Sequence, residues 1–439
     1  MALNIPFRNA YYRFASSYSF LFFISWSLWW SLYAIWLKGH LGLTGTELGT
    51  LYSVNQFTSI LFMMFYGIVQ DKLGLKKPLI WCMSFILVLT GPFMIYVYEP
   101  LLQSNFSVGL ILGALFFGLG YLAGCGLLDS FTEKMARNFH FEYGTARAWG
   151  SFGYAIGAFF AGIFFSISPH INFWLVSLFG AVFMMINMRF KDKGHQCVAA
   201  DAGGVKKEDF IAVFKDRNFW VFVIFIVGTW SFYNIFDQQL FPVFYAGLFE
   251  SHDVGTRLYG YLNSFQVVLE ALCMAIIPFF VNRVGPKNAL LIGVVIMALR
   301  ILSCALFVNP WIISLVKLLH AIEVPLCVIS VFKYSVANFD KRLSSTIFLI
   351  GFQIASSLGI VLLSTPTGIL FDHAGYQTVF FAISGIVCLM LLFGIFFLSK
   401  KREYLQQYRR KLFPVVVDIS ISLNRKIIIQ KCLAQLIIT

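Results

Sequence analysis

Long apolar runs broken by short polar segments divide the chain into about a dozen stretches. A helix that crosses a bilayer needs about 20 mostly apolar residues, and run after run meets that length. The first four extend from about Tyr12 to Leu37, Glu47 to Gln70, Pro78 to Tyr98 and Ser107 to Lys134. A fifth begins near Ala146 and a sixth covers about Asn172 to Met188. The polar stretch from Lys191 to Asn218 then interrupts the pattern, with Asp201-Ala202-Gly203-Gly204 as flexible linker. Six more runs follow: one from Phe219, one from about Leu258 to Val281, one to about Phe307, one around Trp311 to Ile329, one carrying Gln353, Ser356 and Ser357, and one ending near Leu398. The pattern predicts an all-α polytopic membrane protein, with twelve transmembrane helices in two pseudo-symmetric six-helix bundles. The bundles would cover 1–190 and 219–399, with a central loop at 191–218 and a tail at 400–439. The apolar runs of the tail are too short to span, and it is expected to be a peripheral appendage.

The two halves share a motif. The second run ends in Gly67-Ile68-Val69-Gln70-Asp71-Lys72-Leu73-Gly74-Leu75-Lys76-Lys77, where two glycines are expected to frame a tight turn and an acid at a helix end meets a cluster of bases. A gating role is assigned here to Gly67, Asp71, Lys72, Gly74 and Lys76. The eighth run ends in Asn282-Arg283-Val284-Gly285-Pro286-Lys287, a degenerate copy with Asn in place of Asp. One copy after the second span of each half argues for an internal duplication of six spans.

Composition agrees with the pattern. Charged residues make up 12% of the 439 and hydrophobic ones 59%, with 50 phenylalanines and a mean hydropathy of +0.79; a globular domain carries about 25% charged residues. A net charge of +13 would suggest nucleic acid in a soluble protein, but its placement decides otherwise. Lys72, Lys76 and Lys77 share one loop, Lys134, Arg137 and Arg147 bracket another, and Arg189 to Arg217 supply seven bases to the central loop. Alternate loops carry little beyond Lys38 and Arg257. By the positive-inside rule both termini lie in the cytoplasm, so the bilayer rather than nucleic acid is the partner. Eight cysteines without C-x-x-C spacing are expected to form neither a disulfide framework nor a metal site. Arg8 and Arg13 precede an apolar run without a small-residue cleavage site, so the first span is expected to be retained. Within that span Trp36 is assigned to the interface belt, while Phe23 and Trp29 fit a pocket or plain packing equally.

Chemistry enters with the ionisable residues inside spans. The tenth run contains Lys317-Leu318-Leu319-His320-Ala321-Ile322-Glu323, three ionisable groups on one helix face. Each charge at the middle of a span costs about 2.5–3.5 kcal/mol on insertion scales, so such groups pair or line a wet pathway. The acids inside spans are Asp129, Asp237, Glu270 and Glu323; the bases are Arg147, Arg300 and Lys317, with His320 able to stay neutral. Four acids against three bases leave one carboxyl to bind a proton. Asp129 and Arg147 can pair on adjacent spans, and Asp237 and Lys317 can pair between spans seven and ten, as a functional or merely helix-locking charge pair. Glu270, Glu323, Arg300 and His320 then share the proton, and the apolar neighbours Ile322, Val324 and Pro325 favour Glu323 as its carrier. No G-x-S-x-G nucleophile motif and no second His or Cys cluster supports an enzyme or a cofactor.

These residues resemble those of the oligosaccharide:proton symporters of the major facilitator superfamily. The likeness covers Met1 to about Lys400. Its motifs are Gly67 to Lys77, Phe141-Glu142-Tyr143-Gly144-Thr145-Ala146-Arg147, Phe236-Asp237-Gln238-Gln239, and Lys317 to Pro325. The resemblance implies that Asp129 and Arg147 bind sugar, that Tyr154 stacks on a sugar ring, and that His320 is a sugar ligand. It also implies that Glu323 carries the proton, with Arg300 as its neighbour. Phe23 and Gln353 are further candidate substrate ligands. Two departures stand out. Lactose-carrying members place an aspartate–lysine pair where this chain has Asn234 and Ser356, so the pair is absent without an orphan charge. Their span-eight acid aligns with Val267, one turn from Glu270. The likeness is greatest to the sucrose-carrying branch. It implies a disaccharide (sucrose) importer of the cell inner membrane, taking sugar and proton together by alternating access and functioning as a monomer. The alternatives are another oligosaccharide such as lactose or raffinose, or a proton-coupled exporter.

Overall fold

The structure, a computed structural model, describes residues 9–73, 75–190, 213–339 and 347–399, without the side chains of Asp71 and Lys72. Gly74, most of the central loop and the 400–439 tail lie outside the described residues, as do the side-chain roles assigned to Asp71 and Lys72.

The described chain forms twelve helical rods. Ten helices are long and apolar enough to cross a membrane: α1 (Ala10–His40), α3 (Pro78–Ser104), α4 (Phe106–Asn138), α5 (Tyr143–Phe165), α6 (Pro169–Arg189), α7 (Arg217–Ala246), α8 (His252–Val284), α9 (Pro286–Leu306), α10 (Pro310–Asn338) and Leu349–Phe397. The last contains Gly375 at φ +72°, ψ 174°, which divides it into α11 (349–374) and α12 (376–397). The more polar Gly45–Leu73, which carries Glu47, Asp71 and Lys72, is α2. Helices start where caps satisfy the free N–H groups: Asn9, Asp216 and Asn309 accept from the N–H two residues on. Proline opens α3, α6, α9 and α10, where its missing N–H costs nothing. Several helices begin before the apolar run, α5 at Tyr143 and α8 at His252, because hydrophobicity marks the length in the bilayer and not the length of the helix.

The motif behaves differently in its two copies. Gly67 lies inside α2 with open space where a side chain would stand, so it does not frame the turn. Gly285 does, at φ +90°, a backbone region that L side chains rarely adopt. The last lysine of each copy plays the same part. Lys77 Nζ donates to the carbonyls of Asn187 (2.7 Å) and Phe190 (2.6 Å) at the end of α6. Lys287 Nζ donates to Ile395 (2.9 Å) and Leu398 (2.6 Å) at the end of α12. In both halves a cation meets the negative end of the last helix.

Trp36 is 1% exposed and packs on Tyr98 and Phe173, so it belongs to the core and not to an interface belt. Trp29 is likewise core, stacked on Phe117 at 4.4 Å. Span one is thus aromatic because it is central, with α5, α6 and α4 packed around it.

The first six and last six helices meet through α2 on α11 and α5 on α8. These contacts cluster toward the end that the positive-inside rule places away from the cytoplasm. Gly49 and Gly368 let α2 and α11 touch backbone to backbone, where any side chain would collide with Ser364 or Gly45 carbonyl oxygen. Ser264 Oγ donates to the Ala155 carbonyl across the α5–α8 contact at 2.7 Å. The strongest tie is a cap supplied across the seam. Thr44 and Glu47 form a capping box at the start of α2, with Thr44 N–H donating to Glu47 and Glu47 N–H to Thr44. The remaining N–H groups of Gly45 and Thr46 donate to Asp372 of α11 at 2.6 and 2.7 Å, and the Thr46 hydroxyl donates at 2.7 Å. An acidic N-cap contributes about 1 kcal/mol. Asp372→Ala is therefore expected to favour opening on this side roughly fivefold. The check is the labelling rate of a cysteine placed at buried Ser53 by a membrane-impermeant maleimide; an unchanged rate would remove the latch role.

Candidate functional site

A cavity of about 280 Å³ lies between the two sets of six helices, near the lower end of the roughly 300–1,000 Å³ of small-molecule sites. Phe23, Trp30, Ser31, Arg147, Ser151 and Tyr154 line one wall; Tyr233, Asp237, Gln238, Asn263, Gln266, Glu270 and His320 line the other. The walls carry different chemistry.

On the first wall, α4 and α5 bring Asp129 and Arg147 together, with Arg147 Nε 2.8 Å from Asp129 Oδ1. Both side chains keep about 30% of their surface (28% and 31%), so water or a ligand reaches them. The Arg147 guanidinium lies 4.0 Å from the centre of the Phe23 ring. Ring and acid fix the plane of the guanidinium. Tyr154, two turns on along α5, faces the same space. This wall offers charged hydrogen bonds beside flat apolar rings, the combination that a sugar's hydroxyls and C–H face require.

The second wall is a buried charge network. Asp237 stands in a π-helical turn, Ile235–Leu240, a distortion common at functional sites. There it meets α9 and α10 together. Its Oδ1 accepts from Lys317 Nζ and Arg300 Nη1, each at 2.8 Å, with His320 Nδ1 at 3.2 Å. Arg300 reaches on to Glu323, Nε donating to Oε2 at 2.7 Å. Arg300 and Glu323 are fully buried. Glu270 Oε2 lies 3.7 Å from His320 Nε2 and accepts from Gln266 Nε2 at 3.1 Å. Tyr233 places its hydroxyl within 3.1–3.2 Å of the His320 ring nitrogens. Near this stripe α10 tightens to three-residue hydrogen bonds, Leu319 N–H to Val316 and Ile322 N–H to Leu319.

Asp237 and Lys317 do pair between α7 and α10, but not in isolation, because Asp237 also holds Arg300 and His320. The network contains three acids (Asp237, Glu270, Glu323) and two permanent cations (Arg300, Lys317), so it is neutral when it holds one proton. Glu323, flanked along the chain by Ile322, Val324 and Pro325, has the Arg300 cation in contact, the neighbour that the resemblance implied. Arg300 is shared, however. When Glu323 takes a proton, Asp237 still holds Arg300, and no buried charge is stranded.

Gln353 is exposed on α11 and does not line the cavity. Asn234 hydrogen-bonds within α7, to the Trp230 carbonyl and Gln238. Val267 and Glu270 both face the cavity, as one turn of helix requires. The charge inventory passed over Asn263 and Gln266, although Asn263, Gln266 and Glu270 form a three- and four-residue stripe on α8 like the one on α10.

The family model of the LacY proton/sugar symporter matches residues 4–410. The raffinose permease of Escherichia coli is 34% identical over 386 residues, covering 87% of this chain and 91% of that protein. The melibiose permease of Enterobacter cloacae (88% and 92% covered) and the lactose permease of Klebsiella oxytoca (86% and 92%) are each 34% identical. Among solved structures, the nucleoside transporter NupG superposes with a TM-score of 0.74 at 18% identity, covering 89% of this chain and 100% of that one. The D-xylose-proton symporter superposes with a TM-score of 0.66 at 13% identity, covering 89% and 98%; these two show the fold. The protein is a multi-pass transporter of the inner membrane and not an enzyme. Its chain belongs to the LacY proton/sugar symporter family and is a proton-coupled sugar symporter.

Proposed function

We propose that the protein imports a disaccharide, sucrose in the first instance, with one proton per sugar. The observation that supports this most is a single cavity with a sugar-type wall and a proton-type wall facing each other. Asp129 and Arg147 hydrogen-bond sugar hydroxyls, Tyr154 and Phe23 offer flat faces, and His320 contacts the sugar from the second wall. Glu323 carries the proton, with Arg300 moving between sharing and Asp237 alone. The pair Asp237–Lys317 holds the network at the cavity when Glu323 changes state. The halves 1–190 and 219–399 move as units about the α2–α11 and α5–α8 seams, and Gly67, Asp71, Lys72, Gly74 and Lys76 belong to the cytoplasmic gate. The carrier works as a monomer. Sucrose rests on the sequence likeness, and the names of the relatives keep lactose, melibiose and raffinose as competitors.

The test is proton uptake by lightly buffered, de-energised cells on adding sugar. Alkalinisation of the medium with sucrose and not with lactose is the expected result. Alkalinisation with lactose alone would keep symport and replace the substrate. Sugar entry without any pH change would make the protein a facilitator, with its extra carboxyl structural.

A further inference from the structure

Gln266 lies on the cavity wall of α8 and is 2% exposed. Its side chain is held at one end only. Nε2 donates to Glu270 Oε2 at 3.1 Å. A carboxylate oxygen accepts and does not donate, so the amide must present its nitrogen to Glu270. The carbonyl oxygen is thereby turned away, and Oε1 has no hydrogen-bond partner among the described residues. Buried acceptors are rarely left unpaired in native proteins, because an unmet one loses its hydration with nothing in return. Gln266 itself lines the cavity shared with Arg147 and Tyr154.

We propose that Gln266 is a specificity-determining residue: its Oε1 accepts a hydrogen bond from one hydroxyl of the bound sugar. This rests on the disaccharide reading above and adds a contact on the second wall. The required partner is a donor, so a hydroxyl satisfies it and a deoxy position or ether oxygen does not. The same amide links sugar to the charge network. A hydroxyl that fixes Oε1 also fixes Nε2 and with it the Glu270 carboxylate beside His320. Arg147 and Asp129 would hold one end of the disaccharide, and Gln266 would report that the other end is in place.

The experiment is equilibrium binding of sucrose and of its series of monodeoxy analogues to the purified full-length protein and to Gln266→Met, a variant of similar length without donor or acceptor. The expected result is that Gln266→Met weakens sucrose binding roughly 10- to 100-fold. One analogue should bind wild type about as weakly as the variant binds sucrose, and should lose nothing further in Gln266→Met. Equal binding of that analogue to both proteins also shows that the variant is folded. A uniform loss across sucrose and every analogue would overturn the proposal in favour of a packing role, and so would no loss at all. If wild type binds lactose or raffinose and not sucrose, the substrate reading fails, and the same cycle run with analogues of that sugar decides the role of Gln266. If wild type binds none of the three, both readings fall.

Discussion

Glu323→Gln is expected to exchange sugar across the membrane at near wild-type rate and to accumulate none. Glutamine reproduces the shape of a protonated carboxyl but cannot release a proton. Arg300 would then be held by Asp237 alone, as it is when Glu323 is neutral, so the fold should tolerate the change. With Asp237 and Glu270 balanced by Arg300 and Lys317, the network sits permanently in its neutral state. A loaded carrier can turn over in either direction in that state. The empty carrier cannot give up the proton that ties net uptake to the gradient. Counterflow of labelled sugar measures the first property, and steady-state accumulation in energised vesicles the second. Accumulation at wild-type level would move the proton site elsewhere, with Glu270 next in line because His320 at 3.7 Å is its nearest basic group.

Arg147→Lys is expected to weaken sugar binding by about 100-fold or more, although charge is kept. The guanidinium does two things at once in the structure, since Nε meets Asp129 and the planar face lies 4.0 Å from the Phe23 ring centre; in the proposed complex its outer nitrogens also donate to the ligand. An ammonium is a point charge and cannot hold a plane against a ring while donating in two directions. Two charge-assisted hydrogen bonds, each contributing about 1.5–3 kcal/mol, set the size of the loss. Direct binding to purified protein is the check. Retained affinity would take the sugar away from this wall and favour the exporter reading.

Most of the scaffold was legible in the sequence because a bilayer demands long apolar runs, and because charges within them cannot be accidental. Asp129, Arg147 and the Lys317–Glu323 stripe stood out for that reason; the structure puts Arg147 and His320 in the cavity lining and links Asp129, Lys317 and Glu323 to that lining through ion pairs. What sequence hid depends on packing between helices. That Arg300 serves both Asp237 and Glu323 follows from a π turn in α7 and from where α9 passes it, neither of which has a signature in composition. Trp36 looked like an interface residue because tryptophans at span ends often are; its burial against Tyr98 and Phe173 reflects the central place of α1. Gln266 and Asn263 escaped because neutral amides do not enter a count of charges, though Gln266 holds a buried acceptor with no partner among the described residues. Gln353 shows the reverse error, a polar residue in a span that is exposed and does not line the cavity.

The two lysines at the starts of α3 and α9 have a mechanical meaning. Each grips the last turn of the sixth helix in its own half through two carbonyls three residues apart. Each half is thus a bundle pinned at its cytoplasmic rim, stiff against splaying where it lacks the support of the other. A load applied at that rim, by a sugar pulling the walls together or a proton releasing them, is not absorbed by spreading helices within a half. It tilts the half as one lever, and the compliance falls on the glycine-lined seam at the far end, which serves as fulcrum.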